Sequence, residues 1–423
     1  MASFSKEERV AFDQLIEGFD DALVTSKLVR KYQTDQVMMA RTGDVIWRPM
    51  PYIVPSFDGQ DQTGNFQSPV QLSVPSTISF YKSVPWQMDQ RELRDALQEQ
   101  RLGMAARQRL ASDINRSITD LVCNTGTVFI KNGAAASGFT DAALIDTALN
   151  RQGVPMEDRN WVVSSSDYNN MAGNLQVASR SFGNEISDKA LRKAFVGELG
   201  NIQTYKADYL PRKTAAAGGA GITISTLAAG VNIYVPQATS TATTGQSGNV
   251  DNRFQRVTVS STTNVAAGDA FTIAGIEEAH AITKQATGTL RSFRVISVDS
   301  ATTMTISPPI ITAANGEQAA VQYQNCVATS TSGTAAIVFQ NTVVGFMNPF
   351  WCKDAIEILP GRLAIPTGAG AEVLRASTEN GIEVVMSKQY DIKSGQILMR
   401  IDTLYGVVNL QPQMTGIEMF SQT

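Results

Sequence analysis

The sequence predicts an α+β fold that is interrupted by a separate all-β domain. Three features of the 423-residue chain lead to this prediction. Residues 89–126 carry a long helical pattern, and residues 45–88 form extended pieces punctuated by proline. Residues 214–345 are rich in Thr, Ser, Ala and Gly and contain short alternating strands. Because α+β patterns resume at residue 346, the all-β segment is interpreted as a domain inserted into another domain.

The composition limits the possible function classes. The chain has 35 Lys+Arg against 39 Asp+Glu, a formal net charge of -4. A protein that wraps duplex DNA needs a basic surface, so this balance argues against such a role. Charged residues make up only 17% of the chain, below the usual ~25%. Such a low fraction suits a protein that covers much of its surface with neighbours, and equally an extracellular β-protein.

The cysteines and the chain start indicate a cytoplasmic protein without bound groups. Cys123, Cys326 and Cys352 are far apart, with no CxxC pair or Cys/His cluster. We therefore expect reduced thiols, and we predict no metal and no cofactor. The N-terminus lacks the apolar segment of a signal peptide, and no run approaches the ~18 apolar residues of a membrane span. A membrane partner is therefore not expected.

Residues 1–44 are predicted to form a helical N-terminal arm. Within them, residues 5–31 read as an amphipathic helix in which Ser5 and Glu8 have capping-box spacing. The simpler interpretation is a helix whose polar face is in solvent and whose apolar face packs on the core of its own domain. The alternative is an arm that docks against another chain. The polar face carries four acidic residues: Asp13, Glu17, Asp20 and Asp21.

Residues 45–88 are predicted to form a long two-stranded β-arm. Extended pieces at 46–48 and 70–74 flank the polar, glycine-containing segment 56–65, which predicts a flexible tip. A hairpin without a third strand is marginal by itself, so it should lie across its own domain or across another subunit. The charges expected to take part in such a contact are Arg48, Asp58 and Asp61.

Residues 89–126 are predicted to form the longest helix. Asp89 is a candidate N-cap, and no proline follows before Pro155. Apolar residues recur at helical spacing, and oppositely charged pairs on the other face are three or four positions apart. About 36 residues at ~1.5 Å each give a length of about 50 Å, suitable for a spine on which a sheet is laid.

Helix and strand patterns alternate in residues 127–213 and again in residues 346–423, which we interpret as two halves of one α+β domain. The predicted elements are a helix at 141–149 capped by Thr140, a strand at 161–163, a helix beginning at Ser166 or Asp167, a helix from Glu185 to Leu199, and strands at 202–205, 350–359, 383–386 and 397–402.

The inserted segment, residues 214–345, is predicted to be a small closed barrel or a sandwich. A Gly/Thr-rich segment could instead be a disordered linker, but the alternating Val, Ile and Phe residues argue against disorder. The predicted strands are 222–224, 231–235, 256–259, 270–273, 293–298 and 304–306.

No enzyme site is predicted, and no residue is assigned a catalytic role. His280 is the only histidine, and the adjacent Glu277 and Glu278 are too few ligands for a metal. Ser164–Ser166 lack the Gly-x-Ser-x-Gly elbow of hydrolases, and Gly218–Gly221 precede a strand rather than a helix. Asp58 and Asp61 lack the dense oxygen spacing of calcium loops.

Several segments resemble one group of virus coat proteins. The most specific is the text from 248 to 259, with its signature Asp251, Asn252, Arg253 and Phe254. Further segments are 30–32, 44–47, 94–96, 268–275, 348–351 and 354–356. The chain resembles the coat proteins of short-tailed double-stranded DNA phages of the P-twenty-two type over most of its length and in the same order.

The resemblance implies the tailed-phage major capsid fold of the Hong Kong phage type. Residues 1–44 would be the N-arm, 45–88 the extended loop (E-loop), 89–126 the spine helix, and 214–345 the inserted barrel domain. Residues 127–213 and 346–423 would form the axial and peripheral domains.

The function that the resemblance implies is assembly as hexamers and pentamers, with a scaffolding protein, into an icosahedral procapsid. The partners would be copies of the chain, the scaffolding protein, a portal protein at one vertex, a decoration protein, and packaged DNA on the inner face without sequence-specific binding. The shell would assemble in the host cytoplasm. We hypothesise that Asp13, Glu17, Asp20 and Asp21 accept a basic segment of the scaffolding protein.

The insertion departs from the family in one stretch, residues 238–248, which is nearly uncharged where relatives carry a charged loop that bridges capsomers. Two other interpretations stay open at this point. An encapsulin-like nanocompartment shell would have the same fold but would be expected to lack the insertion. A tail or adhesin β-protein would explain the Thr/Ser/Gly richness but not the spine helix.

Overall fold

The structure is a computed structural model, and its described residues form two compact units. Unit 1 comprises residues 1–46, 76–119 and 356–408, and unit 2 comprises 47–75, 120–355 and 409–423. For 89, 96–103 and 175–179 the backbone alone is described. The described residues are 12, 23–32, 45–51, 54, 56, 58–61, 63, 66, 68–89, 96–179, 197–207, 209–218, 221–228, 231–313, 318–329, 333–363, 372–378 and 381–422.

The helices and strands are numbered along the chain. The helices are α1 (Ala96–Thr125), α2 (Phe139–Arg151), α3 (Ser165–Ser179) and α4 (Gln318–Gln322). The strands before the barrel are β1 (Arg30–Lys31), β2 (Val45–Pro49), β3 (Ser73–Thr77), β4 (Phe80–Asp89), β5 (Val128–Lys131), β6 (Arg159–Ser164), β7 (Glu198–Leu199), β8 (Ile202–Ala207) and β9 (Arg212–Lys213). Those from the barrel onward are β10 (Thr223–Ile224), β11 (Thr239–Thr241), β12 (Ser247–Asn249), β13 (Gln255–Thr258), β14 (Ala270–Ala279), β15 (Ala286–Val298), β16 (Thr303–Ser307), β17 (Cys326–Ala328), β18 (Ala335–Phe339), β19 (Gly345–Phe346), β20 (Asn348–Cys352), β21 (Ile356–Pro360), β22 (Glu372–Ser377), β23 (Glu383–Asp391), β24 (Gln396–Asn409) and β25 (Thr415–Met419).

Unit 1 contains a six-stranded sheet in the order β1-β21-β24-β23-β22, with β4 also paired to β24. The β1–β21 pair is parallel, whereas β24 runs antiparallel to β4 and to β23. Ser117 on α1 and Tyr405 on β24 are hydrogen-bonded, with 2.8 Å between their hydroxyl oxygens. The buried apolar residues of the part of α1 that belongs to unit 1 recur at helical spacing, as expected for one apolar face: Ala106, Leu110, Ala111, Ile114 and Ile118.

The end of the predicted N-terminal helix is wrong. Residues Thr25–Leu28 form a single 3-10 turn, and β1 begins at Arg30. The side-chain oxygen of Asn115 accepts hydrogen bonds from the backbone nitrogen of Thr25 at 3.3 Å and from its hydroxyl at 2.7 Å. These bonds fix a turn where the periodicity favours helix. Asp13, Glu17, Asp20 and Asp21 lie outside the described residues.

The E-loop is shorter than predicted, because the predicted segment 45–88 divides into two structures. Strands β2 and β3 pair with each other as the hairpin. Strand β4 instead runs along β24, from Phe80 opposite Tyr405 to Asp89 opposite Gln396. The strand role of Asp89 differs from the N-cap role predicted for it. Helix α1 is described from Ala96, with 30 residues, about 45 Å at ~1.5 Å per residue.

Unit 2 contains a second six-stranded sheet, in the order β5-β25-β20-β6-β8-β7. Strands β20 and β25, from the second half of the interrupted domain, lie between β5 and β6 from the first half. Trp161, Phe350 and residues of α2 and α3 form its core. Strands from both sides of the inserted segment thus share one sheet, which is the arrangement expected when an insertion interrupts one α+β domain.

Two helix ends in unit 2 differ from the prediction. Helix α2 begins at Phe139 after Gly138, not behind Thr140. The carboxylate of Asp141 accepts hydrogen bonds from the backbone nitrogens of Ser137 and Gly138, at 2.5 and 2.9 Å, and so satisfies the start of the helix. The helix predicted at Glu185–Leu199 lies outside the described residues up to 196, and Leu199 belongs to β7.

The inserted segment is a closed barrel, as predicted. Its strands follow the order β10-β18-β14-β15-β16-β13, and β17 also pairs with β14. Two backbone hydrogen bonds close the barrel between the ends of β10 and β13. Ser225 N donates to Thr258 O at 3.1 Å, and Ser260 N donates to Thr223 O at 2.7 Å. The strand predicted at 231–235 is absent, since the described residues there form a turn and a single bridge position. Strands β9 and β19, on either side of the insertion, pair with each other.

Candidate interaction surfaces

The signature segment, Asp251 to Phe254, lies between β12 and β13 and makes contacts inside unit 2. The Asp251 carboxylate accepts hydrogen bonds from Arg253, at 2.9 Å from Nε, 2.7 Å from Nη2 and 3.1 Å from the backbone nitrogen. The remaining Nη1 of Arg253 donates to Asn409 O at 2.8 Å. The guanidinium also lies over the ring of Phe254, 5.2 Å from its centroid. This fork therefore fastens the segment before β13 to Asn409, the last residue of β24.

Asn252 closes the base of the neighbouring hairpin. Its side chain is buried and forms four hydrogen bonds. The oxygen accepts from Gln237 N at 3.1 Å and from the hydroxyl of Tyr234 at 2.9 Å. The nitrogen donates to Gln237 O at 2.9 Å and to Val250 O at 3.0 Å. Asn252 thus has a structural role inside unit 2.

The hairpin that Asn252 closes consists of β11 and β12, joined by a turn with Gly245 at φ 82°. Every residue from 239 to 249 is exposed, and none of them is charged. This hairpin contains most of the nearly uncharged stretch, residues 238–248, that the sequence shows. It has no third strand within the described residues.

The E-loop has a fixed root and an exposed tip. At the root, Leu72 N donates to the Tyr323 hydroxyl and Val70 N donates to Gln322 Oε1, each at 3.1 Å. Arg48, on β2, is half-buried. Since α4 supplies Gln322, the root is held by the barrel domain of the same unit.

The tip carries both predicted aspartates. Asp58 and Asp61 are exposed, and Asp61 Oδ1 accepts hydrogen bonds from the hydroxyl of Thr63 at 2.6 Å and its backbone nitrogen at 3.1 Å. These bonds lower the pKa of the Asp61 carboxyl. Phe66, 86% exposed, is the largest apolar side chain described on the tip.

A second set of hydrogen bonds, which the sequence patterns do not predict, attaches the barrel to its host domain. Ser292 on β15 donates to Thr127 O at 2.8 Å and accepts from Phe129 N at 3.1 Å. Arg294 on the same strand donates from Nη2 to Cys123 O at 2.8 Å, at the C-terminal end of α1. Burial lowers the pKa of Arg294 to about 10. The signal of this attachment in the sequence is a pair of arginines, Arg291 and Arg294, in a strand that is otherwise uncharged.

The residues considered for enzyme chemistry have structural roles. His280 Nδ1 accepts from Ile282 N and Thr283 N, each at 3.3 Å, and so caps a turn. Ser164 is bonded to Asp167 at 2.7 Å without a histidine in the network. Within the described ranges, no cluster of His, Cys, Asp and Glu has the geometry of a metal site.

The thiols are also structural. Cys123, Cys326 and Cys352 are buried and unpaired with one another. Burial raises the pKa of Cys326 to about 12, so this thiol stays protonated and unreactive. Of the helices that the structure describes, none is sufficiently long and apolar for a membrane span.

Comparison with known proteins identifies the family. A family model described as P22 coat protein, gene protein 5, matches residues 1–421. The chain belongs to the P22 coat protein family. It is therefore a coat protein of the tailed-phage capsid class, which forms virion shells and does not catalyse reactions. This confirms the resemblance and the non-enzymatic interpretation, and it favours the coat-protein function over the nanocompartment and adhesin alternatives.

Solved structures of phage capsids are similar to the coat protein. One, from Mycobacterium phage Che8, is 11% identical and covers 92% of this chain and 93% of its own, with a TM-score of 0.42. A second, the capsid of cyanophage P-SCSP1u, is 12% identical over 93% of this chain and 86% of its own, with a TM-score of 0.43. The CUS-3 coat protein I-domain is 36% identical over 30% of this chain and 100% of its own, with a TM-score of 0.22.

Proposed function

We propose that the coat protein assembles as hexamers and pentamers, together with a scaffolding protein, into an icosahedral procapsid that later encloses double-stranded DNA. The observation that carries the proposal is the family match over residues 1–421. A net charge of -4 supports it, because many copies can pack with modest self-repulsion. Contacts between different patches of identical chains close into rings, and many weak contacts per subunit make the lattice stable.

The experiment for this proposal is co-expression of the full chain with the scaffolding protein of the same phage, followed by negative-stain imaging. We expect closed shells of uniform size that contain scaffold. Without scaffold we expect irregular shells or open sheets, since the chain alone does not select one curvature. Uniform closed shells in equal yield without any scaffold would contradict the scaffold part of the proposal.

The exposed tip of the E-loop supports a role in lateral contact. An aromatic side chain as exposed as Phe66 loses unfavourable apolar hydration when a neighbour covers it. Asp58 and Asp61 place two negative charges on the same tip, while Arg48 lies at the root. The tip would lie over an adjacent subunit and use backbone pairing together with these charges.

The N-arm would supply the scaffold contact. Asp13, Glu17, Asp20 and Asp21 have helical spacing in the sequence, so they would present carboxylates to a basic scaffold segment. The double variants D13K/E17K and D20K/D21K should weaken co-sedimentation with scaffold. The matched control is E157K/E198K, which reverses two exposed acids elsewhere. Equal scaffold binding by all three variants would refute the contact.

The remaining partners follow from the same proposal. A portal protein would occupy one vertex, and a decoration protein would bind the finished shell. An acidic chain suits DNA packaged against the inner face without sequence-specific binding, because it offers few cations for phosphate. Assembly would take place in the host cytoplasm.

A further inference from the structure

A cavity of about 260 Å³ lies within unit 2, where the E-loop root meets the barrel and the segment after β24. Its apolar walls come from these three elements and from the segment after α2: Met50, Leu72, Val154, Pro309, Ile311 and Met414. Ligand sites are typically concave and apolar, with a few polar groups that orient the ligand. The volume suits a small molecule rather than a drug-sized one.

Two residues that line the cavity, Lys284 and Gln322, have side-chain nitrogens with unused hydrogen-bonding capacity. Lys284 Nζ donates to Gln322 O at 3.0 Å and to Gln324 O at 3.1 Å, and an ammonium group has three donors. The side chain of Gln322 is 1% exposed, its oxygen accepts from Val70 N, and its Nε2 has no partner within the described residues. Buried donors without acceptors are costly, so each favours a ligand that supplies one.

The charge of the cavity is also uncompensated. No carboxylate in the described part of the chain pairs with Lys284, although burial lowers the pKa of its ammonium to about 8. The other ionisable groups that line the cavity are Arg253, which is held by Asp251, and Tyr323, which is bonded to the E-loop root. A monovalent anion would therefore meet one available cation.

We infer that this cavity binds a small carboxylate carried on a short apolar group, with the carboxylate at Lys284 and Gln322 and the apolar part against Met50, Leu72 and Ile311. A neutral ligand of the same shape would gain the apolar contacts but would leave the ammonium without a counter-charge. The inference does not depend on the proposed function, since it concerns a site within one subunit.

The test uses hexanoate as the probe and hexan-1-ol as its neutral counterpart, with binding to the full-length protein measured by ligand-observed NMR titration. We expect hexanoate to bind at least tenfold more tightly than hexanol at pH 6.5. Between pH 6.5 and pH 9 hexanoate should weaken on the order of tenfold, because most Lys284 side chains lose their charge. Hexanol should be insensitive to this pH change.

Two variants locate the site. K284M keeps an apolar stem but removes the charge, and Q322E keeps the acceptor for Val70 N while it replaces the donor by an anionic oxygen. Both should lose at least tenfold in hexanoate affinity and keep that for hexanol. K206M, at an exposed lysine, is the control and should bind like the wild type. Unchanged hexanoate binding by K284M, or no binding at all by the wild type, would overturn the inference.

A final comparison separates a free ligand from a protein side chain of the same chemistry. If assembled shells bind hexanoate as the unassembled protein does, the site serves a small molecule. If only unassembled protein binds it, a neighbouring copy closes or fills the cavity in the shell, and the inference holds for the free subunit alone.

Discussion

Lys213 and Asp269 form a buried ion pair, with 2.9 Å between Nζ and Oδ1. The pair joins β9, the strand before the insertion, to the start of β14 in the barrel. Asp269 is 1% exposed and also accepts hydrogen bonds from Asn341 Nδ2 and Ala266 N. The inserted domain is thus connected to its host by charge pairing as well as by the β9–β19 strand pair.

Loss of the lysine in this pair should destabilise the protein strongly. K213M removes the cation that is in direct contact with the buried Asp269 carboxylate, which costs about 3 kcal/mol of the free energy of unfolding. Urea denaturation followed by fluorescence measures the loss. The control is R256M, which breaks the exposed pair with Asp299 and should cost less than about 1 kcal/mol. Equal effects of the two variants would contradict the buried role of Lys213.

Asn252 should matter for stability and not for surface contact. N252A removes four hydrogen bonds and leaves Gln237 N and the Tyr234 hydroxyl without their acceptor, so we expect a loss of about 1–3 kcal/mol. N249A changes an exposed asparagine of the adjacent hairpin and should cost less than about 0.5 kcal/mol. Denaturation midpoints of the two variants provide the comparison.

Glu418 should make stability depend on pH. Its side chain is fully buried on β25, and burial, with the nearby Asp141 as the next cause, raises its pKa well above 4.5. A raised pKa in the folded state means that the folded protein holds the proton longer than the unfolded chain. This contribution to stability is complete below the unfolded pKa and is lost as the pH rises toward the folded pKa, by about 1.4 kcal/mol per pH unit.

The E418Q variant tests this dependence. It cannot ionise, so its free energy of unfolding should fall less between pH 5 and pH 7 than that of the wild type. E198Q, at an exposed glutamate of β7, should retain the wild-type slope. A wild-type slope in E418Q would show that Glu418 does not carry the effect.

The E-loop tip should act on assembly rather than on folding. D58N/D61N removes two exposed charges while the amide oxygen at position 61 can still accept from Thr63. We expect a denaturation midpoint within about 0.5 kcal/mol of the wild type but a lower yield of shells in sedimentation. The opposite result, a destabilised subunit with a normal yield of shells, would show that these aspartates act in folding and not in assembly.

The inserted domain should guide folding of the split domain around it. Residues 214–345 contain a closed barrel with its own core, and Ser292, Arg294 and Lys213 attach it to its host. Removing the insertion would expose the backbone groups of α1 and β5 that these residues bind. We therefore expect the deleted chain to be insoluble. Expression followed by fractionation measures this outcome. Soluble, assembly-competent chain without residues 214–345 would count against the role.

The sequence pattern predicts those helices and strands that neighbouring residues alone determine. The alternation around Phe271 and Ile273 marks β14, and the long helical period marks α1. Strand β4 was assigned to the hairpin because its partner, β24, lies more than 300 positions further along the chain and leaves no mark near Tyr81. The cap at Asp141 and the turn at Thr25 were missed because side-chain hydrogen bonds decide them, not periodicity.

The functional assignment rested on resemblance more than on visible chemistry. Arg253 and Asn252 belong to the segment that carries the resemblance, yet their contacts are internal, so that segment did not mark an interaction surface. The surfaces themselves, at Phe66 and at 239–249, carry ordinary residues whose exposure only the fold reveals. Contacts between copies follow from paired surfaces and leave no periodic pattern in a single chain.

The most direct test of the coat-protein account is sedimentation velocity of the purified full chain, alone and with its scaffolding protein, across a range of ionic strengths. We predict large, discrete assemblies when scaffold is present and salt is low, in equilibrium with small species as salt rises. Monodisperse monomers under every ionic condition, with and without scaffold, would contradict the claim that this chain builds a shell from copies of itself.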